Sequence, residues 1–184
     1  QRLVDRGLLT RRRGVGTIVS PRHVHRPMEL TSLMRDLVNA GHKVHTTIQR
    51  YEARPANAQE ADILKITEGT LIVHIERTRF ANDEPIAVLT NFIPTDIAPT
   101  MQELESASLY DLMRERGVTL ASARQVIGAR SATTKEAKLL SEHRGAALLT
   151  TQRTTYDPSG RIVEYGNHIY RASRYSFEAS LFAQ

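Results

Sequence analysis

The sequence predicts an α+β fold: a mostly antiparallel sheet covered by helices, in two halves related by a pseudo-twofold axis. Three observations carry this. Residues 32–94 resemble residues 108–170 at a constant offset of 76. Each half runs capped helix, extended segment, short capped helix, hairpin. The chain of 184 residues, 40% hydrophobic and 24% charged, is long enough to bury a core.

The duplication is read from aligned residues. Ser32 and Leu33 fall on Ser108 and Leu109, and Gly41 falls on Gly117. "RPANAQEADILKITEG" falls on "RSATTKEAKLLSEHRG", so that Arg54, Glu60, Leu64 and Gly69 meet Arg130, Glu136, Leu140 and Gly145. Arg77 meets Arg153, and Phe80 meets Tyr156. Chance is a poor account of so many matches at one ungapped offset, and an ancient duplication of about 63 residues follows.

At the N-terminus, residues 2–6 read as the end of a helix that Gly7 stops. "LLTRR" and "TIV" are two short strands around Arg13-Gly14-Val15-Gly16, the shape of a basic wing. Its glycines let a tight loop approach another backbone, and its arginines suit phosphate contacts. A solvated basic hairpin is the plainer alternative.

The halves then parse alike. A helix starts at Thr31 or Ser32 in the first and Ser108 in the second, stopping at Gly41 and Gly117. Extended segments "KVHTTIQRYEA" and "TLASARQVIGA" follow. Short helices begin at Asn57 and Thr133, each with an acid three residues on, a capping box in the second half. Hairpins turn at "ANDEP" and "DPSG", and a last strand lies at "RYSFEASLF".

The net charge is +5, and its distribution is uneven. Residues 1–26 hold seven arginines against Asp5, so the remaining chain carries about −1. The charge permits an anionic partner without requiring one, and the basicity lies at the N-terminus. Absent cysteine excludes disulfides and cysteine-held metal, and fits a reducing cytoplasm. No apolar run approaches a membrane span, and "QRLVDRGLL" is no signal peptide. The opening Gln suggests a piece of a longer protein.

A binding site is read from strand 71–80. Leu71, Val73, Ile75, Arg77 and Arg79 share one face. A face that turns from core to paired arginines wants an anion, because an unpaired buried charge is costly. The alternatives are ion pairs with Glu76 or Glu164, or exposure at the strand end. Ser108 opens a helix, whose free amides suit a carboxylate or phosphate unless it is a plain N-cap. Glu164 and Tyr170 share a strand face, suited to hydroxyl or amine groups unless they form a sheet-surface pair. His23 with His25, and His42 with His45, lack a third ligand, so no metal or cofactor is expected. Walker, nucleophile-elbow and dinucleotide motifs are absent.

The opening "QRLVDRGLLTRRRGVGTIVS" resembles the end of the DNA-binding domain of GntR-family transcriptional regulators. The pattern rests on Leu3, Gly7, Leu8, Gly14, Gly16, Thr17 and Val19. The remainder is similar to the UTRA effector domain of the histidine-utilisation-repressor branch. It carries "LMRDLVNAGHKV", "IERTRF", "NDEPIAVLTNFIP", "SLYDLMRERGV" and "GRIVEYGNHIYRASRYSFEASL". The resemblance implies the end of a winged helix at 1–20, a linker at 21–30 and a sensor at 31–184, with the fold of chorismate lyase. It implies a homodimeric, ligand-responsive transcriptional regulator, a repressor, that binds operator DNA through Arg11, Arg12, Arg13, Gly14, Gly16 and Thr17. Its small anionic effector, a sugar phosphate or small carboxylate, would meet Arg77, Arg79, Ser108, Glu164 and Tyr170. Leu89 and Met34 depart from the pattern, which often has an acid and a small hydroxyl residue there. The rival is an enzyme of the chorismate-lyase fold, with Glu164 as acid or base.

Overall fold

The computed structural model describes residues 9–12, 16–19, 24–27 and 30–178, with side chains from residue 30. Near the N-terminus, β1 (Leu9–Arg12) and β2 (Gly16–Val19) form an antiparallel hairpin, with Leu9 opposite Val19 and Arg12 opposite Gly16. The expected wing strands are thus present, while its tip at 13–15 and the helix end at 2–6 lie outside the described residues.

Two successions follow: α1 (Leu33–Asn39), β4 (Val44–Pro55), α2 (Ala58–Leu64), β5 (Leu71–Ala81) and β6 (Glu84–Pro94), after a strand β3 at Val24–Pro27. Then come α3 (Met101–Ser106), α4 (Leu109–Glu115), β7 (Ser122–Ser131), α5 (Thr134–Leu139), β8 (Ala147–Tyr156), β9 (Ile162–Arg171) and β10 (Tyr175–Glu178). The main sheet has six antiparallel strands in the order β4-β5-β6-β9-β8-β7. That order is two copies of one three-stranded unit joined at β6 and β9, as a pseudo-twofold requires.

The local chemistry explains the elements. Ser32 caps α1 by accepting from the Arg35 amide at 3.1 Å. Asn57 with Glu60, and Thr133 with Glu136, form full capping boxes on α2 and α5. Each box is tied to the preceding strand by a two-bonded arginine fork: Arg54 to Glu60 at 2.7 and 2.6 Å, Arg130 to Glu136 at 2.7 and 2.6 Å. Gly41 and Gly117, both at φ 81°, take the left-handed conformation after α1 and α4.

Three details depart from the sequence expectation. First, the ungapped offset fails inside the hairpin. Arg79 pairs with Ala87, and its counterpart Thr155 pairs with Glu164, an offset of 76 on one strand and 77 on the next. The extra residue sits in the turn. Asn82 and Asp83, at φ 50° and 66°, make a two-residue turn of the mirror-image type I geometry. Its counterpart is the three-residue loop Pro158-Ser159-Gly160, closed by Asp157 N donating to Arg161 O at 3.0 Å with Gly160 at φ 85°. Because side chains alternate, one residue of slip reverses faces: Asn91 faces the same side as His168, and Asn167 faces the other.

Second, β10 does not extend the main sheet. It pairs in parallel with β3, Tyr175 opposite Val24 and Glu178 opposite Pro27, so part of the 21–30 segment is a strand. Third, α3 was not foreseen, although Thr100 and Glu103 form a capping box at its start. Among the described residues no helix is long and apolar enough to cross a membrane.

Helices cover both faces. Leu109, Leu112 and Met113 of α4 pack with Val73, Ile75, Ile93 and Val163, and Leu33 and Leu37 of α1 pack with Ala87, Leu89, Tyr170 and Tyr175. On the opposite face, α2 lies with Ile72 and Ile162, and α5 with Val88 and Ile169. Between α1 and α4 the sheet's centre is left with polar side chains.

Candidate functional site

Those polar side chains line a pocket of about 400 Å³, its open mouth included. Arg77, Arg79, Ser108, Glu164 and Tyr170 all line it, so the structure brings together the five residues singled out from the sequence. Strand alternation delivers Arg77 and Arg79 from β5 and Glu164 and Tyr170 from β9 to the same face. The starts of α1 and α4 close the sides. A bulge falls at the same place in each hairpin, beside Arg79 in one and Thr155 in the other. Bulges of this kind re-aim side chains next to sites.

Arg77 and Arg79 are 3% and 2% exposed, which settles the question of strand-end exposure. Neither makes an ion pair among the described residues: Glu76 points away, 3.5 Å from Lys135, and Glu164 reaches Arg77 only through Asn91. Arg77 Nη2 donates to Asn91 Oδ1 at 3.1 Å, and Arg79 Nη1 donates to Thr46 Oγ1. Arg77 Nε and Nη1, Arg79 Nε and Ser108 Oγ are buried without a hydrogen-bond partner among the described residues. Burial pulls both guanidinium groups down, Arg77 to about 10 and Arg79, beside the Arg77 charge, to about 9. Both remain cationic at neutral pH.

Ser108 holds the N-cap position of α4, yet its hydroxyl makes no capping bond. Its duplicate Ser32 does cap, and it also lines the pocket. The hydroxyl of Ser108 is therefore not spent on its own helix.

Glu164 is fully buried and well connected. Its Oε2 accepts from Thr155 at 2.7 Å and Tyr110 at 3.3 Å, and its Oε1 from Asn91 at 2.6 Å. Burial raises its carboxyl, against the pull of these donors and of Arg153. The Tyr110 phenol is pushed up to about 12, first by burial and then by Glu164. Arg153 donates to Tyr110 at 3.3 Å and to Gln125 at 2.7 Å. A Cβ at Gly166 would meet His168 Nε2 at 2.5 Å and Glu164 Oε1 at 2.6 Å, so only glycine lets these two flank the floor. Tyr170 stacks on Tyr175 with ring centres 4.4 Å apart. Leu89 and Met34 also line the pocket, adding apolar wall where the resembling pattern has polar groups.

Sequence reasoning missed Asn91, Tyr110, Arg153 and His168 as lining residues. The signal for Arg153 was present, because the repeat lays Arg77 on it. Asn91 and His168 are counterparts only at the offset of 77, which the turn conceals.

The side chains of the expected DNA contacts are not described. Arg11 and Arg12 lie in β1, opposite Thr17 and Gly16 of β2, and Arg13 and Gly14 lie outside the described residues. His42 Nδ1 accepts from Asn82 Nδ2 at 2.9 Å, and His45 stacks on Phe80.

A duplicated antiparallel sheet with an arginine-rich pocket at its centre is the build of a ligand-sensing domain. The UTRA domain family matches residues 39–176. The repressor NagR of Bacillus subtilis (strain 168) is 33% identical over 178 residues, which is 95% of this chain and 73% of that protein. A Streptomyces coelicolor protein described as a transcriptional regulator is 46% identical over 78% of this chain and 96% of its own, with a TM-score of 0.70. PhnF from Mycobacterium smegmatis shares the fold, at a TM-score of 0.89 and 23% identity over 100% of this chain and 82% of its own. The chain belongs to the UTRA-domain family of GntR-type transcriptional regulators. Its class is that of a ligand-responsive regulator, not of an enzyme sharing the chorismate-lyase fold.

Proposed function

We propose that the pocket takes a small anionic effector, a sugar phosphate or small carboxylate, and that its occupancy controls DNA binding. One observation carries the reading: buried donor atoms of Arg77, Arg79 and Ser108 have no hydrogen-bond partner among the described residues. Leaving such donors unpaired costs about 1–3 kcal/mol each, more for charged groups. An oxyanion supplies both the acceptors and the counter-charge, and two guanidinium forks can grip three or four oxygens. Glu164 and Tyr170 then border the rest of the ligand, with Glu164 holding lone-pair capacity for one more donor.

In this reading the wing, with Arg11, Arg12, Arg13, Gly14, Gly16 and Thr17, meets DNA phosphates in the cytoplasm. The protein works as a homodimer, which suits a palindromic operator. Residues 21–30 link the winged helix ending near 20 to the sensor at 31–184.

Calorimetry with a panel of phosphorylated sugars and small carboxylates tests the site, on wild type, Arg77→Lys, Arg79→Ala and Glu164→Gln. Arg77→Lys keeps the charge but loses the fork, and is expected to cost about 1–3 kcal/mol. Equal binding by all four proteins would place the site elsewhere. Loss in Glu164→Gln alone would mean that the ligand's hydroxyl or cationic end dominates.

A further inference from the structure

The pocket is a duplicated site whose two halves are finished differently. The repeat lays Arg77 on Arg153 and Arg79 on Thr155, and beyond the turn it lays Ala87 on Glu164. It also lays Ser32 on Ser108. The helix starts cross over: α4 packs on β5 beside Val73 and Ile75, and α1 packs beside Leu149 of β8. One seat is therefore made by Arg77, Arg79 and Ser108, and its counterpart by Arg153, Thr155 and Ser32. In the first, donor atoms of all three residues lack a hydrogen-bond partner among the described residues. In the second, the side chains are spent. Ser32 caps α1, accepting from the Arg35 amide at 3.1 Å. Arg153 commits Nε to Gln125 at 2.7 Å and Nη1 to the Tyr110 phenol at 3.3 Å. Thr155 Oγ1 donates to Glu164 Oε2 at 2.7 Å.

Glu164 has no acidic equivalent in the first half, where Ala87 stands. Its buried carboxylate accepts from a hydroxyl, a phenol and an amide, and the Arg153 charge is close enough to act on it. Those are the surroundings of a bound anion. We infer that Glu164 is an internal anion filling the duplicate of the effector seat, so that the pocket selects ligands with one anionic group and turns away those with two. This rests on the effector reading above and narrows its ligand class: sugar bisphosphates and dicarboxylates drop out. Three arginines and one carboxylate line the pocket. A first anionic group goes to Arg77 and Arg79. A second, reaching across, would lie against the Glu164 carboxylate, and like charges brought together in a desolvated site are strongly disfavoured. The asymmetry also fixes which way round the ligand lies, since only one of the two related seats is satisfied from within.

Formate, compared with chloride at matched ionic strength, is the probe. The readout is melting temperature, which an anion bound only by the folded state raises. Wild type, Arg79→Ala, Glu164→Ala and the double variant Glu164→Ala with Thr155→Val are compared. Formate is expected to raise wild type more than Arg79→Ala, and Glu164→Ala more than wild type. Thr155→Val removes the seat's hydroxyl donor and should abolish that extra rise. No extra rise in Glu164→Ala, or one that survives Thr155→Val, would overturn the internal anion while leaving the effector seat intact. Equal rises in wild type and Arg79→Ala, with the extra rise kept, would instead overturn the effector seat and the ligand class drawn from it. Glu164→Gln removes the charge, keeps the bulk and serves if Glu164→Ala does not fold. Calorimetry then compares butyrate with succinate, which carry one and two carboxylates on the same carbon chain. The succinate-to-butyrate affinity ratio should rise about tenfold from wild type to Glu164→Gln. An unchanged ratio would overturn the proposal.

Discussion

Asn91 joins the cationic and anionic halves of the pocket: its Oδ1 accepts from Arg77 at 3.1 Å while its Nδ2 donates to Glu164 at 2.6 Å. A side-chain amide accepts at its oxygen and donates at its nitrogen, so one residue serves both groups. It orients one fork of Arg77 and leaves Nε and Nη1 directed elsewhere. Asn91→Ala breaks both bonds and removes one of the three donors to the buried Glu164 carboxylate, and is expected to cost about 1–3 kcal/mol in urea unfolding. Asn91→Asp instead hands Arg77 an internal counter-ion. Calorimetry should then show anion affinity falling by about tenfold, the equivalent of 1.4 kcal/mol.

Gly166 governs the floor. In Gly166→Ala the new methyl must displace His168 or the Glu164 carboxylate, both within 2.6 Å of its position. Forcing a methyl into a filled site typically costs about 1–3 kcal/mol. The expected result is a folded protein with a lowered melting temperature and weakened ligand binding. Wild-type stability with wild-type affinity would mean that the floor can yield freely.

The twin arginine forks make part of the fold's stability depend on acid pH. The Arg130 fork and the Thr133 amide hold Glu136 down at about 2, and the Arg54 fork likewise lowers Glu60. A carboxyl held below its unfolded value stabilises the protein fully above that value, and the contribution is lost as pH falls toward the folded one. Glu136→Gln should therefore destabilise by about 1 kcal/mol near pH 7, the worth of a good cap. The difference from wild type in urea unfolding should shrink between about pH 4.5 and 2.

The wing prediction concerns salt. Replacing Arg11, Arg12 and Arg13 with Ala in a protein carrying the whole winged helix should weaken binding to any DNA. Each lost phosphate contact should flatten the slope of log affinity against log salt by about 0.9. An unchanged slope would remove the wing from the interface.

The α+β class, the duplication, the helix caps and the hairpins were legible in the sequence because each is set by residues close together in the chain. Thr133-x-x-Glu136 states its cap within four residues, and strand 71–80 states which face carries Arg77 and Arg79. Even the five lining residues could be named, because resemblance and alternation both pointed at them. The three-dimensional fold decided the rest. A single extra residue in the loop Pro158-Ser159-Gly160 turns Asn167 away from the pocket and brings His168 into it. Side-chain alternation has a period of two, so no count of matches upstream of a turn can fix the face beyond it. That Ser108 leaves its helix uncapped and that Asn91 spans Arg77 and Glu164 are relations between elements far apart in the chain. Local sequence determines which elements form; only packing determines which of their polar groups are left without partners.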